Sequence, residues 1–366
     1  MIKVIMLVPS LRIGSGIASF IISYFRRLDH SEVQLDFACY YKNSKSYAEE
    51  IENSGSRVFY LPSVFNLFTH LKTCQKIISE NKYDIIHDCS LINTIPMMHV
   101  AKQKIKVRIL HSHSSKLGET KFKALRNSIF VPLLRSYFNN FAACSELAAK
   151  TLFGNRPFQL ISNVIDSNAY DFNNSNRMKI RNTMNVDNKL IIGTVGRTAA
   201  QKNPFRALSI FKEVHKLFQN SEYWWIGDGP LLDEMKKYAK KNGIMEYVHF
   251  WGNRNDTYEL YQAMDVFFMP SNFEGLGIAC VEAQTSGLPC VVSDVIPHTV
   301  AFTNLVDFIP LSKSDSFWAE TIISASSKKQ DRKSYKKELA NSCFSDENAG
   351  ERLKDYYSSL LNCANI

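Results

Sequence analysis

Two glutamates, Glu274 and Glu282, stand eight positions apart in the segment SNFEGLGIACVEAQTSGLPCVVSD, with Gly275 and Gly277 between them. The preceding DVFFMPS reads as a strand, and GIACVEAQTSG as a helix closed by Gly287. Glu274 then falls in a strand-to-helix loop and Glu282 about one turn into the helix. The glycines let backbone approach a ligand closely, and the N–H groups around Gly277, Ile278 and Ala279 at a helix start favour an anion. Carboxylates are poor phosphate ligands but good acceptors for hydroxyls. A ligand carrying both phosphate and polyol, such as a nucleotide sugar, suits this combination. A surface helix with two solvated glutamates is the plainer alternative.

A second segment has matching chemistry. TVGRTAAQKNP follows the strand LIIGTV and ends on Pro204, a favourable first helical residue. Arg197 and Lys202 would project from one loop at the carboxyl end of that strand. A guanidinium fork with an ammonium charge suits a diphosphate, particularly one gaining charge as it leaves. Alone the two cations say little; beside the glutamate segment they say much more. RILHSHSS puts His111 and His113 at the end of another strand, where a histidine is ordinarily a satisfied structural residue. GSG, with Gly14 and Gly16, is by itself no more than a tight-turn signal.

These groups need elements to hold them. IKVIMLV, QLDFACY, SRVFYL, YDIIHD, KVRILHS and NFAACS are strand candidates in the first half. LIIGTVG, YWWIGDG, VHFWG, DVFFMPS, PCVVSD and VDFIPL follow in the second. Strands alternating with helical segments imply βαβ units and parallel sheets. The expected fold class is α/β, with two Rossmann-like domains facing each other across a cleft, since parallel sheets bind ligands at the carboxyl ends of their strands. The boundaries read as 1–165 for the first domain, 166–188 for a polar linker, 189–345 for the second, and 346–366 for a terminal helix that could pack anywhere, the first domain included.

With 366 residues the chain is long enough for two cores, and 45% hydrophobic residues supply them. The eight cysteines form no CxxC pair, which argues against a zinc site or a disulfide framework and suits free thiols in a reducing cytosol. No apolar run reaches membrane-spanning length. Residues 1–165 carry 21 Lys and Arg against 11 Asp and Glu, whereas the remainder has 23 against 24. Between Lys102 and Arg135 lie nine basic residues and one acid, Glu119. There KFKALRNSIFVPLLRSYF mixes the charges with Phe122, Leu125, Ile129 and Phe130, the pattern of a helix lying on an anionic membrane surface. An amphipathic helix with a solvated basic face is the simpler reading. No nucleic-acid motif is present, so a nucleic-acid partner is not expected.

Taken together these motifs resemble the retaining glycosyltransferases of family 4, which have the GT-B architecture. The resemblance rests on Arg197 and Lys202, WIGDGP, MPSNFEG and the Glu–seven residues–Glu element. GSGIASF, YDIIHD, RILHSHSS, CSELAAKTLFG and ISNVID extend it over nearly the whole chain. It looks most like the bacterial enzymes that build capsular or exopolysaccharide repeat units. The resemblance implies Arg197 and Lys202 on a donor diphosphate, Glu282 on the ribose, and Glu274 on the donor sugar, helped by the amides after Gly275. It implies Gly227 and Asp228 on the nucleotide side, and Gly14 and Gly16 against the phosphates or the acceptor. It also implies a histidine at the sugar or the reacting centre, with His111 preferred because it follows the strand directly and His113 as the second choice. The role of His87 stays open. The family's glycine loop often begins with paired glycines and a following acid; here Ser15 separates the glycines and Ala18 replaces the acid, which departs from the pattern for an acceptor contact.

The implied reaction is front-face transfer with retention, in which the protein stabilises the departing diphosphate and positions two substrates. A glycosidase would need its two carboxyls across a sugar, and these flank an anion site instead. The chain contains no Asp-x-Asp, so no metal is expected in the chemistry and no cofactor beyond the donor, expected to be UDP-linked. The expected acceptor is a saccharide, lipid-diphosphate-linked, met at the cytoplasmic face of the membrane. A nucleotide-sugar epimerase and a non-catalytic donor-binding subunit remain alternatives. A dehydrogenase is disfavoured because no GxGxxG follows the first strand.

Overall fold

The computed structural model describes residues 1–118, 121–327, 332 and 334–364. The chain divides into two compact units, Met1–Val164 with Glu347–Ile366, and Ile165–Asp346. Each is built on a parallel sheet, and each of the twelve runs named from sequence overlaps a strand.

In the first unit the strands are β1 Ile2–Val8, β2 Val33–Cys39, β3 Val58–Tyr60, β4 Ile85–Asp88, β5 Val107–Ser112, β6 Asn140–Ala143 and β7 Gln159–Leu160. Their order is β3-β2-β1-β4-β5-β6-β7, with every neighbouring pair parallel. The two-residue β7 is too short to leave a periodic signal and escaped the sequence reading. Helices cover both faces of such a sheet, so the central strands are near-continuous apolar runs; all four residues of β4 are buried. The core gathers Val4, Phe20, Leu35, Phe37 and Ile109, and the terminal helix Ala349–Ala364 adds Leu353 and Tyr357. That helix packs closely because it carries Gly350, where a Cβ would fall 1.8 Å from the carbonyl oxygen of Arg27.

In the second unit β8 Leu190–Val195, β9 Ser221–Ile226, β10 Val248–Gly252, β11 Val266–Met269, β12 Cys290–Ser293 and β13 Val306–Ile309 form a sheet of order β10-β9-β8-β11-β12-β13. All of its pairs are parallel. Phe211, Trp225, Phe268 and Trp318 fill its core. Residues 166–188, read from sequence as a linker, belong to this unit and hold the helix Asn174–Met184. Polar composition hid the reason: Arg177 and Arg181 both pair with Asp265 and donate to the carbonyls of residues 262–264. A helix anchored by arginines to backbone carbonyls needs no apolar stripe.

Strand order reverses between β1 and β4 in the first sheet and between β8 and β11 in the second. At such switch points the connections leave in opposite directions and open a crevice at the carboxyl ends of the strands. The GSG loop and the His87 segment flank the first; the Arg197–Lys202 and Glu274 loops flank the second.

Candidate active site

In the second unit β8 runs into Gly196 and Arg197, then into a short turn, Ala200–Lys202. Asn203 adopts a left-handed conformation before Pro204 opens the helix Pro204–Leu217. β11 leads through residues 270–277 into the helix Ile278–Thr285. Two hydrogen bonds stitch the loops together: Asn272 N–H donates to the Gln201 carbonyl at 2.8 Å, and Asn272 Nδ2 to that of Ala200 at 2.7 Å. Side chains complete the joint. Lys202 Nζ lies 2.8 Å from Glu274 Oε1, and Gln201 Nε2 donates to Glu274 Oε2 at 3.0 Å.

The helix Ile278–Thr285 starts from Gly277 at φ 93°, and no side chain caps it. An L-residue would be strained there, and its Cβ would meet Ile296 Cγ2 at 3.0 Å. Gly275, Gly277 and Ala279 are buried and Ile278 is partly so, which leaves a small-residue approach to the helix start. Gly227, at φ 137°, answers a different demand: a Cβ would fall 2.1 Å from the Gly196 carbonyl oxygen. Its N–H donates to Gly252, and the Asp228 carbonyl accepts from Thr198 N–H at 3.1 Å, so the β8 and β9 loops also run side by side. The Asp228 carboxylate accepts from Gly229 N–H at 2.6 Å, and Arg197 is exposed.

Glu282 Oε2 accepts from the Tyr261 hydroxyl at 2.8 Å. Burial pushes its carboxyl up to about 7, against the opposing pull of the Tyr261 and Tyr170 hydroxyls and the Lys202 charge. Lys202 is therefore near enough to influence both glutamates. Tyr170 and Tyr261 were missed by sequence reading. One lies in the segment taken for a linker and the other in the helix Thr257–Ala263, with nothing local to mark either.

In the first unit Gly14 turns the chain at φ 84°, and the helix Gly16–Phe25 begins without a side-chain cap. A Cβ on Gly16 would meet nothing within 4 Å, so open space fronts the helix start. Ala18 is fully buried.

The histidines divide differently from the sequence expectation. β5 reaches Ser112, so His111 lies within the strand, is 1% exposed, and has its Nδ1 3.0 Å from His87 Nε2. His113 is the first histidine past the strand and the one partly exposed. It stacks on His111 with ring centroids 4.0 Å apart and places Nε2 3.4 Å from Cys89 Sγ. Of the two, His111 is enclosed and His113 is the ring with some exposed surface. His87, left open, links His111 to Tyr357 Oη, 2.9 Å from its Nδ1. Burial lowers all three imidazoles, His87 and His113 to about 3. Asp88 beside them is buried, pushed up to about 7, and accepts from Ser90 N–H and Thr94 Oγ1. His87, Cys89 and His111 each offer a donor atom within 4.8 Å of the others, a spacing that a metal ion could bridge, although the two facing imidazole nitrogens already share a hydrogen bond.

Two parallel Rossmann-like sheets, each with its own switch point, are the GT-B architecture of glycosyltransferases. Residues 176–341 match the family described as glycosyl transferases group 1. Over 365 residues the chain is 32% identical to the putative glycosyltransferase EpsF of Bacillus subtilis, covering 96% of this chain and 93% of that one. It is 26% identical over 329 residues to the UDP-Gal:alpha-D-GlcNAc-diphosphoundecaprenol alpha-1,3-galactosyltransferase of Escherichia coli, covering 83% of each. In fold it matches the Anabaena HepE crystal structure, a complex with UDP and glucose, at TM-score 0.76 and 17% identity over 98% of this chain and 100% of the other. The chain belongs to the group 1 glycosyltransferases.

Proposed function

We propose that this glycosyltransferase moves a sugar, with retention, from a UDP-sugar to a lipid-diphosphate-linked saccharide during assembly of a bacterial surface polysaccharide. The observation that carries the reading is the convergence in the second unit of Lys202, Glu274, the uncapped start of the helix Ile278–Thr285, and Glu282. Cation and helix amides suit a diphosphate, and the two carboxylates suit hydroxyls on either side of it. Arg197 and Lys202 would take the diphosphate with the amides of Ile278 and Ala279. Glu282 would accept from the ribose, Glu274 from the sugar, and Gly227 and Asp228 would line the nucleotide side. His113 would face the sugar, and Gly14 and Gly16 the phosphates or the acceptor. The E. coli relative, whose name specifies a UDP-linked donor and a lipid diphosphate acceptor, supports this choice of substrates.

Work at the cytoplasmic membrane face is supported by the helix Lys121–Arg135. Phe122, Leu125, Ile129, Phe130 and Leu133 form an exposed apolar stripe on it, while Val131 and Leu134 turn inward. Glu119 and the side chains of Lys121 and Lys123 lie outside the described residues. Among the described residues no helix is long and apolar enough to cross a membrane, so the contact would be peripheral.

The test is a panel of nucleotide sugars assayed for released nucleotide with a lipid-diphosphate saccharide acceptor, followed by NMR of the product linkage. UDP release coupled to an axial-type retained linkage is expected, and turnover should persist in EDTA because the chain has no Asp-x-Asp. An isomerised sugar from donor alone would indicate an epimerase. Donor binding without turnover on any acceptor would indicate a binding subunit. Complete loss in EDTA restored by manganese would overturn the metal-independent chemistry.

A further inference from the structure

Side chains from β4, β5 and the terminal helix meet inside the first unit. Tyr357 Oη is 2.9 Å from His87 Nδ1, and His87 Nε2 is 3.0 Å from His111 Nδ1. All three residues are buried, and the imidazoles are held neutral by that burial. A neutral imidazole has one N–H to give and one nitrogen to accept with, so the chain must run in one direction. A buried tyrosyl O–H needs an acceptor, and His87 Nδ1 is placed to be it. His87 then carries its proton on Nε2 and donates to His111 Nδ1. His111 in turn carries its proton on Nε2, which is buried without a hydrogen-bond partner at ordinary geometry. The Ile161 backbone favours a proton on that ring. The opposite direction would strand the tyrosyl hydrogen in the core.

His113 rests on the last ring of this chain. It stacks on His111 at an interplanar angle of 24°, leans on Phe20 with centroids 4.8 Å apart, and is held at Nε2 by Cys89. Phe20 also packs edge-on against His111, with centroids 4.9 Å apart. A neutral His111 with a fixed tautomer offers His113 one unchanging surface. A His111 that exchanged tautomers or gained charge would alter the stack and its electrostatics.

We propose that Tyr357, on the terminal helix, is a positioning residue for His113, acting through the one-directional hydrogen-bonded chain Tyr357–His87–His111. This rests on the reading that His113 faces the donor sugar. Tyr357→Phe keeps the ring and its packing and removes only the hydroxyl. Two-bond 15N–1H correlation spectra of the full-length protein should show His87 and His111 as Nε2–H tautomers in the wild type and as mixed tautomers in the variant. kcat should fall about three- to tenfold, the scale of one net hydrogen bond, with the donor KM unchanged. Wild-type spectra with His111 protonated on Nδ1 overturn the direction of the chain. Unchanged tautomers or unchanged kcat in Tyr357→Phe overturn the positioning role. His113→Ala separates the two levels. If it turns over normally, the reading of His113 itself fails; if it loses turnover while Tyr357→Phe keeps it, only the role of Tyr357 is refuted.

Discussion

Lys202 and Glu274 form an ion pair at 2.8 Å, with side chains only 13% and 6% exposed. Two residues proposed to hold different parts of the donor are thus paired with each other. Gln201 on the second carboxylate oxygen fixes the pair to the β8 loop. A diphosphate arriving at the helix start would draw Lys202 toward itself and release Glu274 to accept sugar hydroxyls. On the proposed reading, the pair would be exchanged for substrate contacts on binding.

Breaking a pair this buried leaves an uncompensated charge, which costs about 3–5 kcal/mol. Lys202→Ala should thus lose thermal stability as well as activity, with kcat/KM down about 100-fold or more if it stabilises leaving-group charge. Lys202→Ala combined with Glu274→Gln should recover the melting temperature and leave activity lost. If stability stayed low in the double variant, the pair would not be the cause.

The two glutamates should separate in kinetics. Glu282→Ala should mainly raise the donor KM, since ribose contacts are made equally in ground and transition states. Glu274→Ala should also lower kcat, because sugar orientation changes during transfer. Equal effects confined to KM in both variants would refute the division.

Donor affinity should depend on pH through Glu282. Its carboxyl, raised to about 7 by burial, must be ionised to accept two ribose hydroxyls. The donor KM should therefore rise as pH falls from 8 to 6, and Glu282→Gln should flatten that dependence. Calorimetry in buffers of different ionisation enthalpy should show proton release on binding near pH 7. A wild-type profile as flat as that of the variant would exclude the effect.

The first unit should be acid-sensitive. His87 has a folded-state pKa of about 3 against an ordinary 6.5, and His111 is lowered in the same direction. Across that window the unfolded chain binds protons that the folded chain refuses, so stability is present above 6.5 and falls as pH drops. Each imidazole contributes up to about 1.4 kcal/mol per pH unit. Asp88 acts oppositely, since its raised carboxyl holds a proton in the fold up to about 7, but one carboxyl is set against three lowered imidazoles, His113 included. Melting temperature followed from pH 7.5 to 5 should decline below about 6.5; a flat profile would show these rings are not held neutral.

Membrane contact should require both charge and apolar surface. Replacing Lys121, Lys123 and Arg126 with Glu should weaken binding to anionic vesicles by about 100-fold or more, at about 1 kcal/mol for each basic residue removed. Phe122→Ser with Ile129→Ser should weaken binding with the charges intact. Sedimentation with vesicles measures both, and unchanged binding in the charge variant would remove the membrane from the proposal.

Periodicity by itself determined the two parallel sheets, because buried strands must be apolar whatever surrounds them. The glutamate spacing and the Arg197–Lys202 loop were likewise legible, since loop chemistry at a strand end survives in local sequence. What tertiary structure decided was which of these groups meet. Lys202 and Glu274 lie on different strand-to-helix loops, and nothing local predicts that each neutralises the other. Tyr357 reaches His87 across 270 positions, and this contact helps explain why His111 is a structural link and His113 the partly exposed ring. The helix at 174–184 looked like a linker because its partners are backbone carbonyls near residue 263. A hydrogen bond between distant segments depends on where the sheet brings them, and leaves no pattern in either segment alone.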